Sequence, residues 1–362
     1  MDEPESVQPT DESELLPTRS LCRVENLAAL LRIRGIGPRG AIEIANRLGT
    51  VDRLECSTPA DLQRTVGKKL AEALATQSLS SAEPSLPDGA WMLGFFDEDY
   101  PAGFRNLKDP PAVLWGIGKL PSVEAVAVVG TRHPTQWAAD ATRKIVTSAV
   151  EEGFVIVSGL AIGIDTTAHT TCLEAHGQTT AVLGTGVDIC YPAENKELAT
   201  ELLAAGGCLL SEVPPGTRPS PKTLVARDRL QAALALGTVV VQSGIPGGTL
   251  HTARFTLEQG KALVVAAPRG GSDPKAYAGN LALIDPTGCD PDVLRASGAL
   301  ASDLPGKKPV ADVVLTASEQ LPSIWQTVRG WDPVEGLSTW RRQGASRRSS
   351  STSTEHSPTL PI

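Results

Sequence analysis

The chain has 362 residues, room for two or three domains of roughly 100–200 residues each. A net charge of −8 excludes a surface that is basic throughout, and with only 4% aromatics the core has to be built from Val, Leu, Ile and Ala. Six scattered cysteines without a Cys-x-x-Cys pair argue against a disulfide framework or zinc site; no apolar run reaches the roughly 18 residues of a membrane span, and the acidic start lacks the order of a signal peptide, so a reducing cytoplasm is expected.

Residues 1–20 carry six acids against Arg19, with Pro4, Pro9 and Pro17, and are predicted to be disordered. Residues 22–78 form a first domain. Leu27, Leu30 and Leu31 keep helical spacing, and Arg34-Gly35-Ile36-Gly37 breaks the helix. Pro38 suits the first turn of the next one. Ala41, Ile44, Ala45 and Leu48 then recur on one face, and a second stretch follows with Leu62, Val66, Leu70, Ala73 and Leu74. The string Leu31–Ala41 resembles a helix-hairpin-helix motif, whose Gly-rich turn offers backbone N–H groups to a nucleic-acid phosphate. Gly35, Gly37 and Arg39 are the candidate contacts; a plain packing turn is the competing reading.

A Pro-rich, aromatic lead-in follows from about residue 80 and reads as a strand or two. From about 123 to 300 the pattern alternates strand and helix. Strands are predicted at 126–129, 155–157, 180–183, 208–210, 239–241 and 263–266, with helical patterns between them. Repeated βα units predict an extended Rossmann-like, doubly wound, mostly parallel α/β sheet spanning 80–300, preceded by the small all-α domain. Residues 301–342 read as a short C-terminal extension, and the Ser/Thr-rich 343–362 as a disordered tail.

Ligands of such sheets bind at the carboxyl ends of the strands, where the strand order reverses. Here those ends read Gly130-Thr131-Arg132, Ser158-Gly159 through Gly163 and Asp165 with His169 beyond, Gly184-Thr185-Gly186, Ser211-Glu212, and Ser243-Gly244 through Gly247-Gly248-Thr249. Small residues here leave backbone N–H groups open to oxyanions. The dinucleotide fingerprint is absent, since Gly130-Thr131-Arg132 is not Gly-x-Gly-x-x-Gly and strand two ends without an acid. No Gly-Lys-Ser/Thr phosphate loop occurs. The five histidines show no metal spacing. Neither cofactor nor metal is expected.

The linked motifs Val129-Gly130-Thr131-Arg132, Val157-Ser158-Gly159-Leu160-Ala161-x-Gly163-Ile164-Asp165 with Ala168-His169, Gly186-x-Asp188 with Tyr191-Pro192, Ser211-Glu212 and Gly279-Asn280 resemble the signature of the DprA/Smf (DNA-processing) family. The lead-in, with Asp99-Tyr100-Pro101 and Asp109–Trp115, resembles that of the same family. The resemblance implies a Rossmann-like domain that binds single-stranded DNA, forms a homodimer and passes the strand to a RecA-type recombinase, without catalysis. Strand-end position and resemblance together mark Gly130, Thr131, Arg132, Ser158, Gly159, Gly163, Asp165, His169, Arg227, Arg229, Ser243, Gly247, Gly248 and Thr249 as DNA- or phosphate-binding. Two departures stand out. Arg227-Asp228-Arg229 replaces the usual Arg-Asn-Arg, and Gln242 stands where an acid is expected.

Other readings stay open. Arg132 near the core needs either a phosphate or an internal salt bridge. Ser158, Asp165 and His169 have the ingredients of a hydrolytic triad but lack a Gly-x-Ser-x-Gly elbow; a helix cap with a packed histidine is the plainer account. Pro246-Gly247-Gly248-Thr249 resembles the phosphoribohydrolases of the lysine-decarboxylase-like family, but Arg254 stands where their glutamate would be. A nucleotide-binding sensor or enzyme on the same pocket is therefore the second hypothesis.

Overall fold

The computed structural model describes residues 19–76, 79, 85–285 and 310–338. The tails expected to be disordered lie outside them, apart from Arg19 and Ser20. The described chain divides into two compact units.

Among the described residues the first unit carries five helices, α1 (Val24–Arg32), α2 (Pro38–Leu48), α3 (Val51–Cys56), α4 (Pro59–Val66) and α5 (Lys68–Thr76). Their apolar faces meet through Leu27, Leu30, Ile44, Ala45, Leu48 and Leu62, all buried. Between α1 and α2 the chain turns at Gly35, whose φ of +95° suits glycine, and Pro38 opens α2 as predicted. The single helical stretch expected over 62–74 is two helices. Gly67, at φ +82°, ends α4 one residue before α5 begins, a break invisible to a pattern that counts only apolar spacing. Leu93–Tyr100 and Asp109–Val113 also belong to this unit, where the Tyr100 hydroxyl donates to the Pro111 carbonyl at 2.6 Å.

The lead-in supplies β1 (Ala90–Gly94), α6 (Ala102–Arg105) and β2 (Val113–Gly118). The βα units follow: β3 (Ala125–Val129), α7 (Gln136–Glu151), β4 (Val155–Ser158), α8 (Ile164–Glu174), β5 (Thr179–Leu183), α9 (Lys196–Ala204), β6 (Cys208–Ser211), α10 (Pro221–Leu234), β7 (Gly237–Val240), α11 (Thr249–Glu258), β8 (Ala262–Ala266), α12 (Ala278–Ile284), β9 (Val313–Leu315) and α13 (Leu321–Arg329). Among the described residues the sheet has nine strands in the order β1-β2-β6-β5-β4-β3-β7-β8-β9. From β6 across to β9 every pair is parallel, and β2 joins β6 antiparallel.

The order explains the location of the site. The chain leaves β3 towards β4, β5 and β6, then crosses back to lay β7, β8 and β9 on the other side. Order reverses between β3 and β7, where Val128 pairs with Val239, and the crevice of a doubly wound sheet opens there. All five β3 residues are buried, as a central strand covered on both faces requires. Val126 and Val128 pack against α7, α8 and α13, whereas Val129 and Val240 pack against α11 and α12.

The described part of the C-terminal extension, 310–338, belongs to this sheet and its cover. β9 pairs with β8, and α13 buries Trp325, whose Nε1 donates to the Ser148 hydroxyl on α7 at 3.0 Å. A three-residue strand is too short to show a period, so the sequence pattern stopped one strand early. Among the described residues, no helix is long and apolar enough to cross a membrane.

Candidate functional site

Where β3 and β7 part, a crevice of about 420 Å³ opens. Its lining brings together Gly130, Thr131, Arg132, Asp165, Arg227, Ser243, Gly247, Gly248 and Thr249 from the candidate set. Ser158, Gly159, Gly163, His169 and Arg229 are not among the lining residues. Gly35, Gly37 and Arg39 belong to the first unit.

The β3 turn is fixed by its neighbour strand. The Thr131 N–H donates to the Gln242 carbonyl at 2.8 Å, and the Gln242 side chain accepts from the Thr135 N–H at 2.9 Å. Its amide also donates to the Ala276 carbonyl at 3.2 Å, which a carboxylate could not do, so the departure at Gln242 is a bridging role between two loops. Held in this turn, Arg132 is exposed. Among the described residues it has no ion-pair or hydrogen-bond partner, so the internal salt bridge does not form.

The β4 loop is built inward. The Ser158 hydroxyl donates to the Val128 carbonyl at 2.7 Å, and the residue is fully buried. Asp165, in the first turn of α8, accepts from the N–H groups of Gly159 at 3.1 Å and Ala161 at 3.4 Å. The Gly159 N–H is thus already satisfied and is not a phosphate donor. His169 is fully buried. Its Nδ1 lies 2.7 Å from the Thr179 hydroxyl, which itself donates to the Ile156 carbonyl, so Nδ1 carries the hydrogen. Burial pushes His169 down to about 3, leaving it neutral. Ser158 and His169 are thus bonded inward, outside the crevice lining, and Gly163 serves the fold: at φ +87° it lets the chain pass the Thr131 carbonyl, 2.4 Å from where a Cβ would sit.

α10 supplies the other wall. Ser220 and Thr223 form its capping box with Pro221 in the first turn, and Arg227 to Ala233 are buried in unbroken succession. Arg227 donates to the Gly159 carbonyl at 2.7 Å, to the Val182 carbonyl, and to Asp228 at 3.1 Å. A side chain at Gly159 would occupy the space of that guanidinium. Arg229 pairs with Glu212 at 2.6 Å, both nearly buried. The expectation that Arg227 and Arg229 meet DNA phosphates is corrected here: their charges are committed inside the protein. Burial raises Asp228 to about 6, with Asp165 adding to the rise and Arg227 and Arg132 opposing it; burial also raises Asp165.

The β7 loop differs from the β4 loop. The Ser243 N–H is taken by Asn280 at 2.7 Å, but Gly248 faces open space, with nothing within 4 Å of a Cβ placed there. It precedes α11, whose first N–H groups carry the positive end of the helix dipole. Asn280 also donates to the carbonyls of Val241 and Ala266, at 3.0 and 2.9 Å, and so ties β7 to β8. The Gly279-Asn280 motif thus braces the crevice floor.

Over residues 91–287 the sequence matches the family described as DNA recombination-mediator protein A. The chain belongs to this family. The matched span holds the crevice. Protein Smf of Synechocystis is 43% identical over 168 residues, which cover 45% of this chain and 42% of that relative. The DNA processing protein DprA of Bacillus subtilis is 34% identical over 229 residues, 60% of this chain and 76% of the relative. The matched part is thus less than half the length of the Synechocystis protein. The DprA structure from Streptococcus pneumoniae shares the fold, with a TM-score of 0.60 at 24% identity over 86% of this chain and 98% of that one. The Helicobacter pylori DprA structure, described as revealing its single-stranded DNA binding mode, has a TM-score of 0.51 at 25% identity over 66% of this chain and 96% of that one.

Proposed function

We propose that this DprA-family chain binds single-stranded DNA across the carboxyl ends of β3 and β7, and that it acts as a recombination mediator without catalysis. The observation that carries the reading is Arg132, exposed at the rim of the switch-point crevice and without an ion-pair or hydrogen-bond partner among the described residues. A guanidinium in that position meets a backbone phosphate, and the open Gly248 turn offers the next one a helix N-terminus. The naming of the Helicobacter pylori relative for single-stranded DNA binding supports the same ligand. The non-catalytic reading is supported by Ser158 and His169, whose hydrogen bonds run into the core, and by Arg254, paired to Glu258 at 3.4 Å where the phosphoribohydrolases need a carboxylate. From the family resemblance we extend the proposal to a homodimer that passes the strand to a RecA-type recombinase.

Fluorescence titration of labelled oligonucleotides over several salt concentrations tests the site. Each phosphate neutralised on a single strand contributes a log–log slope of roughly −0.7. Arg132→Ala should weaken binding alike for all sequences and make the slope shallower by about 0.7. A folded Arg132→Ala protein with unchanged affinity and slope would show that the strand lies elsewhere.

A further inference from the structure

A second cleft, of about 290 Å³, opens at the carboxyl ends of β8 and β9, the same edge of the parallel sheet as the first crevice. α7 forms one wall, with Trp137 and Lys144. Arg269, just past β8, faces it, and the Leu315–Ser318 turn closes the end. Lys144 and Arg269 are exposed and have no ion-pair partner among the described residues. The lining carboxylate, Asp140, is paired with Arg143 at 2.7 Å, so the cleft keeps a net positive character.

Trp137 is half-buried. Tyr277 meets it edge-on, with ring centroids 5.7 Å apart at 68°, and is itself anchored to Thr135 by a 2.7 Å hydrogen bond. The indole is therefore held in one orientation while it lines the cleft. An oriented aromatic ring in one cleft with two cations that lack an ion-pair partner matches one kind of ligand, a base with its flanking phosphates. In a chain with so few aromatics, this one stands five positions after Arg132. Five residues span at most about 17 Å, no more than about five nucleotides of a strand at ~3.4 Å each. One single strand can occupy both places within the ~4–16 nucleotide footprints usual for such proteins.

We propose that the β8–β9 cleft is a second subsite for the same single strand, with a base stacked on Trp137 and phosphates on Lys144 and Arg269. The proposal rests on the single-strand reading of the first crevice, and its test separates the two. Affinity and salt slope are measured for oligothymidylates of about 4 to about 20 nucleotides. The wild-type chain should show a step in affinity, on the order of ten-fold, once the oligonucleotide is long enough to reach the cleft, with a slope steeper by about 1.4 for two added phosphates. The double variant Lys144→Glu, Arg269→Glu, whose substitutions are both at exposed positions, should keep short-oligonucleotide affinity and lose the step. Photocrosslinking with bromodeoxyuridine oligonucleotides should place an adduct on Trp137.

Arg132→Ala should lower affinity at every length, which reports on the first crevice alone. A step that survives the double charge reversal, or crosslinks that never reach Trp137, would overturn the second subsite and leave the first standing. A wild-type chain that binds no single strand overturns both.

Discussion

Arg132, exposed at the crevice, and Arg227 and Arg229, buried on α10, occupy opposite electrostatic settings. Arg132 follows a short turn, sits in solvent and is unpaired among the described residues. Arg227 and Arg229 sit on a helix whose inner stretch is wholly buried, and each is bonded to groups of its own protein. A buried charge is retained only with partners that offset its desolvation, so the α10 arginines build the wall that the exposed one makes use of. The glycines divide the same way. Gly159 is small because Arg227 needs the space, whereas Gly248 opens on nothing. Residue type and strand-end position therefore do not by themselves mark a ligand contact; the partners of each side chain decide it.

The largest expected effect breaks the comparison if it fails. Arg227→Ala should cost about 3–5 kcal/mol of stability in urea unfolding, because it leaves Asp228 and two carbonyls buried without their donor. Arg132→Ala should stay within about 0.5 kcal/mol of the wild type while losing affinity. Equal stability losses in the two variants would mean that Arg132 is structural after all.

Lys261 extends the comparison to the far end of α10. Its ammonium donates to the carbonyls of Ala232, Ala233 and Ala235, at 2.9, 2.6 and 2.5 Å, where the helix ends. Three acceptors match three N–H bonds, so Lys261 caps α10 as a structural cation of the Arg227 kind. Lys261→Met should cost about 2–3 kcal/mol and leave the salt slope of DNA binding unchanged. A changed slope would move Lys261 into the ligand-facing class.

The sheet was largely legible because a central parallel strand leaves a continuous apolar run, and the six runs predicted from 126 to 266 coincide with β3 to β8. β9 was missed because three residues carry no period. At the site, position at a strand end was legible but the direction of a side chain was not. An arginine beside glycines reads the same whether it faces solvent, like Arg132, or the carbonyls of Gly159 and Val182, like Arg227. α10 offered no help, since its stretch from Arg227 to Ala233 is buried in succession and shows no polar face to reveal its orientation. Gln242 and Asn280 carry no catalytic signature, yet their amides each bridge groups from two loops or strands. Trp137 could have been noticed from its spacing after Arg132.

The smallest expected effect concerns Asp228, which lines the crevice together with Asp165. Burial and the neighbouring Asp165 raise its pKa to about 6, against the pull of Arg227 and Arg132. The folded protein thus holds a proton there that the unfolded chain gives up near its ordinary value, so this group's contribution to stability falls as pH rises from about 4 to about 6. Binding follows the same sign. A phosphate on Arg132 disfavours the ionised carboxylate, so affinity should rise as pH falls through about 6, with a proton taken up on binding. Asp228→Asn removes the charge, and its amide oxygen can still accept from Arg227. At pH 7.5 this variant should bind up to about five-fold more tightly, the equivalent of roughly 1 kcal/mol between nearby charges in water, and its affinity should no longer climb through pH 6. The exposed His133 adjoins Arg132, so both proteins are compared in a His133→Gln background, which removes that imidazole from the profile. If Asp228→Asn binds no more tightly at pH 7.5 and keeps the wild-type rise, Asp228 does not sense the strand, and the phosphate lies on the solvent side of Arg132, away from α10.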